Sequence, residues 1–301
     1  MRVSYHPDYY AFIGDKHPFP IAKFRGLHEW LISGGVLKTS QIVPPKPVLD
    51  THLELVHTAR YYEAVKHGTL DAKEIRRLGM PWSPELARRS VLATQGTMNA
   101  ALMALEDGMA GNLAGGTHHA FPDHGEGFCV FNDVAVAIRA LKQAMWIRKA
   151  LVVDCDVHQG NGTAFIFSGD QDVFTFSIHG EHNFPFRKQP STLDIGLADR
   201  TGDKEYLFAL EGALQDIQIR FLPDIVFYLG GIDVLQSDRF GRLALSLNGL
   251  RERDRLVIRH FRSRGIPLVL TLSGGYAPTL EATVQAHSVM FEEAVNSISL
   301  F

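Results

Sequence analysis

Short runs of Val, Ile, Leu and Phe, closed by polar residues or glycine, punctuate the chain at 150–153, 173–178, 224–229 and 267–272, with a fifth at 2–5. Runs of this length and composition read as strands buried on both faces. The segments between them carry helical spacing instead. Within 133–146, Val134, Ile138, Leu141 and Met145 recur at steps of four, three and four, which draws one apolar stripe along a helix. Asn132 or Asp133 supplies its N-cap. Comparable stripes predict helices over 21–32, 51–65, 84–106, 204–220, 250–264 and 279–295. Strands alternating with helices predict an α/β fold, a central and mostly parallel β-sheet flanked by helices on both faces. No repeat, low-complexity linker or charge block divides the chain, and the proline-rich 43–47 is short enough for a loop, so a single domain over 1–301 is expected. In such sheets ligands bind beyond the carboxyl ends of the strands.

Composition narrows the function more than the fold. The 301 residues are 46% hydrophobic and 21% charged, an ordinary globular balance that excludes global disorder. A formal net charge of -3 supplies no basic field for a phosphate backbone, so no nucleic-acid partner is expected. Cys129 and Cys155 are too few for a disulfide framework, which points to a reducing, cytoplasmic setting. The first residues lack the apolar stretch of a secretory signal. No apolar run approaches the ~20 residues that span a bilayer.

Candidate chemistry gathers where the apolar runs end. Asp154, Asp156 and His158 follow the run at 150–153 at alternating positions, and alternation along a continuing strand turns all three to one side. Two buried carboxylates repel unless a cation lies between them. A divalent metal is the simplest remedy; the alternative is a polar loop with a capping Asp and a surface His. Gly160-Asn161-Gly162 then allows a tight turn back into the fold. Asp233 sits just after the run at 224–229, where it offers a third ligand or else caps the next helix. Two oxygens and one nitrogen leave a coordination position open, as catalytic sites do. His118 and His119, behind Gly115-Gly116-Thr117, can divide labour between a proton acceptor and a charge-bearing partner. Tyr276, on the turn Ser273-Gly274-Gly275, can aim its hydroxyl at a developing oxyanion. Gly127-Phe128 and Phe184-Pro185 add faces for a narrow apolar channel. His6, His28, His52, His57 and His260 read as structural or exposed. The chain carries no P-loop, dinucleotide-binding glycine fingerprint, H-E-x-x-H, nucleophile elbow or C-x-x-C.

Together the stretches 115–120 (GGTHHA), 127–133 (GFCVFND), 154–162 (DCDVHQGNG), 230–233 and 273–276 resemble the zinc-dependent histone deacetylase family of the arginase/deacetylase superfamily. The His-Gln-Gly-Asn-Gly wording and Asp238-Arg239-Phe240-Gly241 look most like its class IV branch, bacterial members included. The resemblance implies an arginase/deacetylase fold and an amidohydrolase that removes an acetyl or longer acyl group from a lysine-like amine, on a protein or a small molecule. It implies Zn2+, or Fe2+, held by Asp156, His158 and Asp233. His119 matches the general base, His118 its electrostatic partner with Asp154 beside it, and Tyr276 the oxyanion donor. Gly127, Phe128 and Phe184 match the walls of the acyl-lysine tunnel. A structural K+ or Na+ is implied at the Asp154 and Ser177 side chains and the carbonyls of Asp156, His158 and Ile178. Asn161 departs from the Asp that class I relatives pair with the base, so the base here is expected to be less basic. Gly79-Met80-Pro81-Trp82 supplies no carboxylate to grip a peptide backbone. Two other readings share these residues: an arginase-like binuclear ureohydrolase, and a non-catalytic relative that binds acylated amines.

Overall fold

Every predicted apolar run becomes a strand. In the structure, a computed structural model that describes residues 1–298, the strands are β1 Arg2–Ser4, β2 Ile42–Val43, β3 Met109–Asn112, β4 Ala150–Asp154, β5 Val173–Gly180, β6 Leu193–Leu197, β7 Ile225–Leu229 and β8 Leu268–Thr271. They form one 8-stranded sheet in the order β2-β1-β3-β8-β7-β4-β5-β6. Every pairing between these strands is parallel, so the sheet is wholly rather than mostly parallel. β4, β5, β7 and β8 are buried along their length, which is why they read as continuous hydrophobic runs.

Three strands carry no such signature. β2 is two residues long and stops at Pro44, which has no N–H for the ladder. β3 reads Met-Ala-Gly-Asn without a β-branched residue. Its Gly111 leaves room for the Phe291 ring, which a Cβ would meet at 2.8 Å. β6 lies at the sheet edge and alternates half-buried with exposed positions.

The helices are α1 Lys23–Ser33, α2 Asp50–Leu53, α3 Ala59–His67, α4 Ala72–Leu78, α5 Pro84–Asp107, α6 Asp133–Gln143, α7 Asn161–Ile166, α8 Asp203–Arg220, α9 Leu247–Arg262 and α10 Leu280–Ser297. They flank the sheet. The stripe predicted over 51–65 is two helices, because Thr58 starts a new one by accepting the Tyr61 N–H. The helix predicted over 133–146 stops at Gln143: Met145 takes φ 59° and is 90% exposed, so it lies off the stripe. Asn132, not Asp133, is its cap, accepting the Ala135 N–H at 3.0 Å. The tight turn expected at Gly160-Asn161-Gly162 is instead the start of α7. α4 is a seven-residue helix framed by an Asp71–Glu74 capping box, too short to show a stripe.

α5, the longest helix, begins at Ser83, whose hydroxyl accepts the Leu86 N–H at 3.1 Å, with Pro84 in the first turn. Ser83→Ala is expected to lower stability by about 1 kcal/mol, read from urea unfolding midpoints.

Parallel strands end on one side of a sheet. β3, β8, β7 and β4 are adjacent in that order, so the segments that follow them, 113–132, 272–279, 230–246 and 155–160, are neighbours above the middle of the sheet.

Candidate active site

β4 ends at Asp154, and Asp156 and His158 lie in the loop beyond it. Their approach therefore comes from loop geometry, not from the strand alternation expected of them. Asp156 Oδ1 accepts the His158 N–H and lies 2.9 Å from His158 Nδ1. Asp233, from the loop after β7, caps no helix: its Oδ1 accepts the Val157 N–H at 2.9 Å, tying the two loops together. Its Oδ2 lies 3.2 Å from His158 Nδ1, yet is buried without a hydrogen bond among the described residues. One ligand atom from each of Asp156, His158 and Asp233 falls within 4.8 Å of the others.

Both carboxylates are fully buried. Burial first, and the charge of Asp156 second, push the Asp233 carboxyl up to about 7. A divalent cation would remove that penalty and satisfy the orphaned Oδ2. Space is reserved as well: a Cβ on Gly274 would collide with the Asp233 carboxylate and sit 2.7 Å from Asp156 Oδ2. The donor set fits a metal.

His118 and His119 stand on the loop after β3, with ring centroids 4.1 Å apart. His118 Nδ1 lies 2.6 Å from Asp154 Oδ2. Burial alone would depress this imidazole, but the charges of Asp154 and Asp156 and the bond to Asp154 raise it to about 9. His119 is held well below its ordinary value by burial and by the charges of His118 and His158. Its Nδ1 faces Asn161 Oδ1 at 2.7 Å. An amide oxygen only accepts, so Nδ1 carries the proton and Nε2, 3.1 Å from His118 Nε2, presents a lone pair.

Tyr276 follows β8. Its N–H donates to Asp238 Oδ2 at 2.6 Å, and its carbonyl accepts from Arg239 Nε at 3.2 Å. The ring packs 4.8 Å from Phe240 and 6.1 Å from Phe128, while the hydroxyl has no hydrogen-bond partner among the described residues. Phe128, at φ 67°, and Phe184, edge-on to His119 at 4.9 Å, wall the approach. Gly127 is required beside them, since a Cβ there would meet His119 Cδ2 at 2.6 Å. One cavity of about 530 Å³ joins His118, His119, Asp156, His158, Phe128, Phe184 and Tyr276.

Asp154 and Ser177 are cross-strand partners, as the monovalent-ion expectation needs. Their polar atoms are engaged by His118, the Asp156 N–H and His179. Of the histidines read as structural, His57 fills that role, bridging the Phe121 carbonyl and the Asn132 N–H.

Two supporting residues, Lys23 and Arg253, escaped the sequence reading, and Ser273 entered it only as part of a turn. Ser273 Oγ donates to Asp156 Oδ2 at 2.7 Å. Buried Lys23 donates to the Ser273 carbonyl at 3.0 Å, and the same peptide unit gives its Gly274 N–H to Asp156 Oδ2 at 2.6 Å. Burial pulls this lysine down to about 8. Buried Arg253 reaches the carbonyls of Cys155 and Gly231, at 3.2 and 2.5 Å, bracing both ligand-bearing loops. A signal did exist: Lys23 and Arg253 occupy buried positions on α1 and α9, where the helical period calls for apolar residues.

The histone deacetylase domain family matches residues 17–291. An uncharacterized protein of Picosynechococcus is 46% identical over 292 residues, 97% of each chain. Histone deacetylase 2 of Arabidopsis thaliana is 32% identical over 282 residues, 91% of this chain and 73% of that one. A crystal structure of an HDAC homolog complexed with SAHA superposes with a TM-score of 0.83 at 25% identity, covering 98% of this chain and 84% of that one.

Proposed function

We propose, for a chain that belongs to the histone deacetylase family and so to deacetylase-type hydrolases, that it is a zinc-dependent deacylase of lysine-like amines. The convergence of Asp156, His158 and Asp233, the first two of which line a cavity with aromatic walls, carries this reading. Those three residues would hold the metal; a bound Zn2+ or Fe2+ supplies Lewis-acid polarisation of the amide carbonyl and acidifies water. Phe128 and Phe184 flank the apolar stem of the acylated amine. The unprotonated Nε2 of His119 takes the proton of the attacking water as its oxygen bonds to the acyl carbon. As the C–N bond breaks, the same nitrogen returns that proton to the leaving amine. His118, kept charged by Asp154, steadies the negative charge that develops beside it. Tyr276 donates its hydroxyl to the oxyanion.

The 158–162 and 238–241 wording supports the class IV branch, and two free, buried cysteines support a reducing, cytoplasmic setting. No helix among the described residues is long and apolar enough to cross a membrane. We assign K+ or Na+ to the Asp154 and Ser177 side chains and the carbonyls of Asp156, His158 and Ile178.

Metal removal tests the reading. Chelation is expected to abolish amine release from an acetyl-lysine peptide, and one equivalent of Zn2+ or Fe2+ per chain to restore it. Two tightly bound ions per chain would favour the binuclear ureohydrolase instead, and turnover unaffected by chelation would end the proposal.

A pH profile tests the base. His119 is held low, and a carboxylate at 161 would favour its imidazolium, raising it. Only the neutral ring accepts a proton, so a raised pKa leaves less of the base form at a given acidic pH. Asn161→Asp is therefore expected to move the acid limb of kcat/KM to higher pH, measured by initial rates across the profile.

A further inference from the structure

Arg89 is a buried charge without an ion-pair partner among the described residues: the buried Asp133 carboxylate acts on it without a salt bridge. It lies on α5, 4% exposed, and its hydrogen bond is a neutral one, from Nε to the Tyr9 carbonyl at 2.9 Å. No carboxylate among the described residues pairs with it. Burial lowers the guanidinium to about 10, so it stays charged at neutral pH. Buried charges are ordinarily paired, because an unpaired one keeps the full cost of lost hydration. Arg89 also lines the reaction cavity, together with Phe19, Phe24 and Cys129. Its guanidinium lies 4.6 Å from the Phe24 ring centre and 6.0 Å from that of Phe19, which in turn packs 6.2 Å from the Tyr276 ring. Lys23 shares the same two rings, its Nζ 5.4 Å from Phe19 and 5.6 Å from Phe24. Two aromatic rings thus wall this part of the cavity, and of the two cations packed on them only Arg89 reaches the lining.

We propose that this wall of the cavity selects an acyl group that itself ends in a carboxylate, of the succinyl or glutaryl type, with Arg89 pairing that carboxylate. The proposal rests on the deacylase reading above and names its acyl class. The carbons of such an acyl group pass the Phe19 and Phe24 rings, and the terminal carboxylate meets a planar donor fork matched to it. A neutral acyl chain would cover the guanidinium and leave it unpaired. Hydrolysis keeps its usual balance: water oxygen bonds to the acyl carbon, the C–N bond breaks, the amine leaves protonated, and a free dicarboxylate is released.

The test compares a glutaryl-lysine peptide with the same peptide carrying 4-carbamoylbutanoyl, which has the shape without the charge. Wild type is expected to favour the acid in kcat/KM by at least about 10-fold. Arg89→Met, matched in bulk, should bring that ratio near one, and Arg89→Lys should keep part of it. Taking the ratio within each variant cancels general damage to the fold. A wild-type ratio near one, or an unchanged ratio in Arg89→Met, overturns the inference. If acetyl, glutaryl and carbamoyl peptides all fail to release amine, the deacylase reading falls. Calorimetric binding of the two peptides then still decides the pocket: tighter binding of the acid by wild type alone supports it, and equal binding overturns it. A role confined to the released product would show as weaker acetate inhibition in Arg89→Met with the ratio unmoved, which also overturns it.

Discussion

His158→Ala is expected to lose the divalent metal and to lower kcat/KM on an acyl-lysine peptide by about 10³-fold or more. A metal ion contributes several kcal/mol of charge stabilisation in a transition state, and ~4 kcal/mol corresponds to a thousandfold rate. His158 is the one nitrogen donor of the cluster, and its imidazole is what lies between two fully buried carboxylates. Without it Asp156 and Asp233 face each other directly, and one of them must take up a proton, which removes a second donor. The residue sits in the loop past β4, outside the hydrogen-bonded ladder, so the sheet survives its loss. Elemental analysis, circular dichroism and initial rates on the same preparation read the three consequences. A variant that keeps stoichiometric metal and full turnover would refute the assignment of His158 as a ligand.

The second large effect is expected from Tyr276→Phe: kcat down by about 10²–10³-fold with KM little changed. Loss of one donor to an oxyanion costs about that much. The change deletes a single oxygen. The ring keeps its contacts with Phe19, Phe128 and Phe240, and its backbone stays bonded to Asp238 and Arg239. The hydroxyl makes no hydrogen bond among the described residues that its loss would break, so stability and metal content should hold, as a thermal melt and elemental analysis would record. Equal loss in kcat and in metal content would mean that the residue shapes the metal site. Unchanged kcat would remove Tyr276 from the chemistry.

Much of the frame was readable along the chain because it is written in local periods. Buried parallel strands show as unbroken apolar runs, and the runs at 150–153, 173–178, 224–229 and 267–272 become β4, β5, β7 and β8 within a residue or two. The rule that ligands sit past strand ends then directed attention to Asp156, His158, Asp233 and Tyr276, which the structure gathers around one cavity or cluster. The failures share a cause. β3 is a strand because β1 and β8 pair with it on either side, not because Met-Ala-Gly-Asn favours extension. The stripe at 133–146 ended early because Met145 turned into solvent. The strand alternation assigned to Asp154, Asp156 and His158 stopped at Asp154, where the ladder to Ser177 and Leu229 stops.

What the residues alone determined was the α/β class, the order of the main elements and the set of chemical groups at the strand ends, since each depends on spacing over a few residues. Only the tertiary structure decided how those groups face one another. Lys23 reaches the Ser273 carbonyl across 250 positions of chain, and Arg253 reaches that of Cys155 across 98. A lone basic residue on an apolar helical face announces that it needs a partner; which carbonyl, carboxylate or ligand supplies it is set by packing between distant elements, and no local period encodes that.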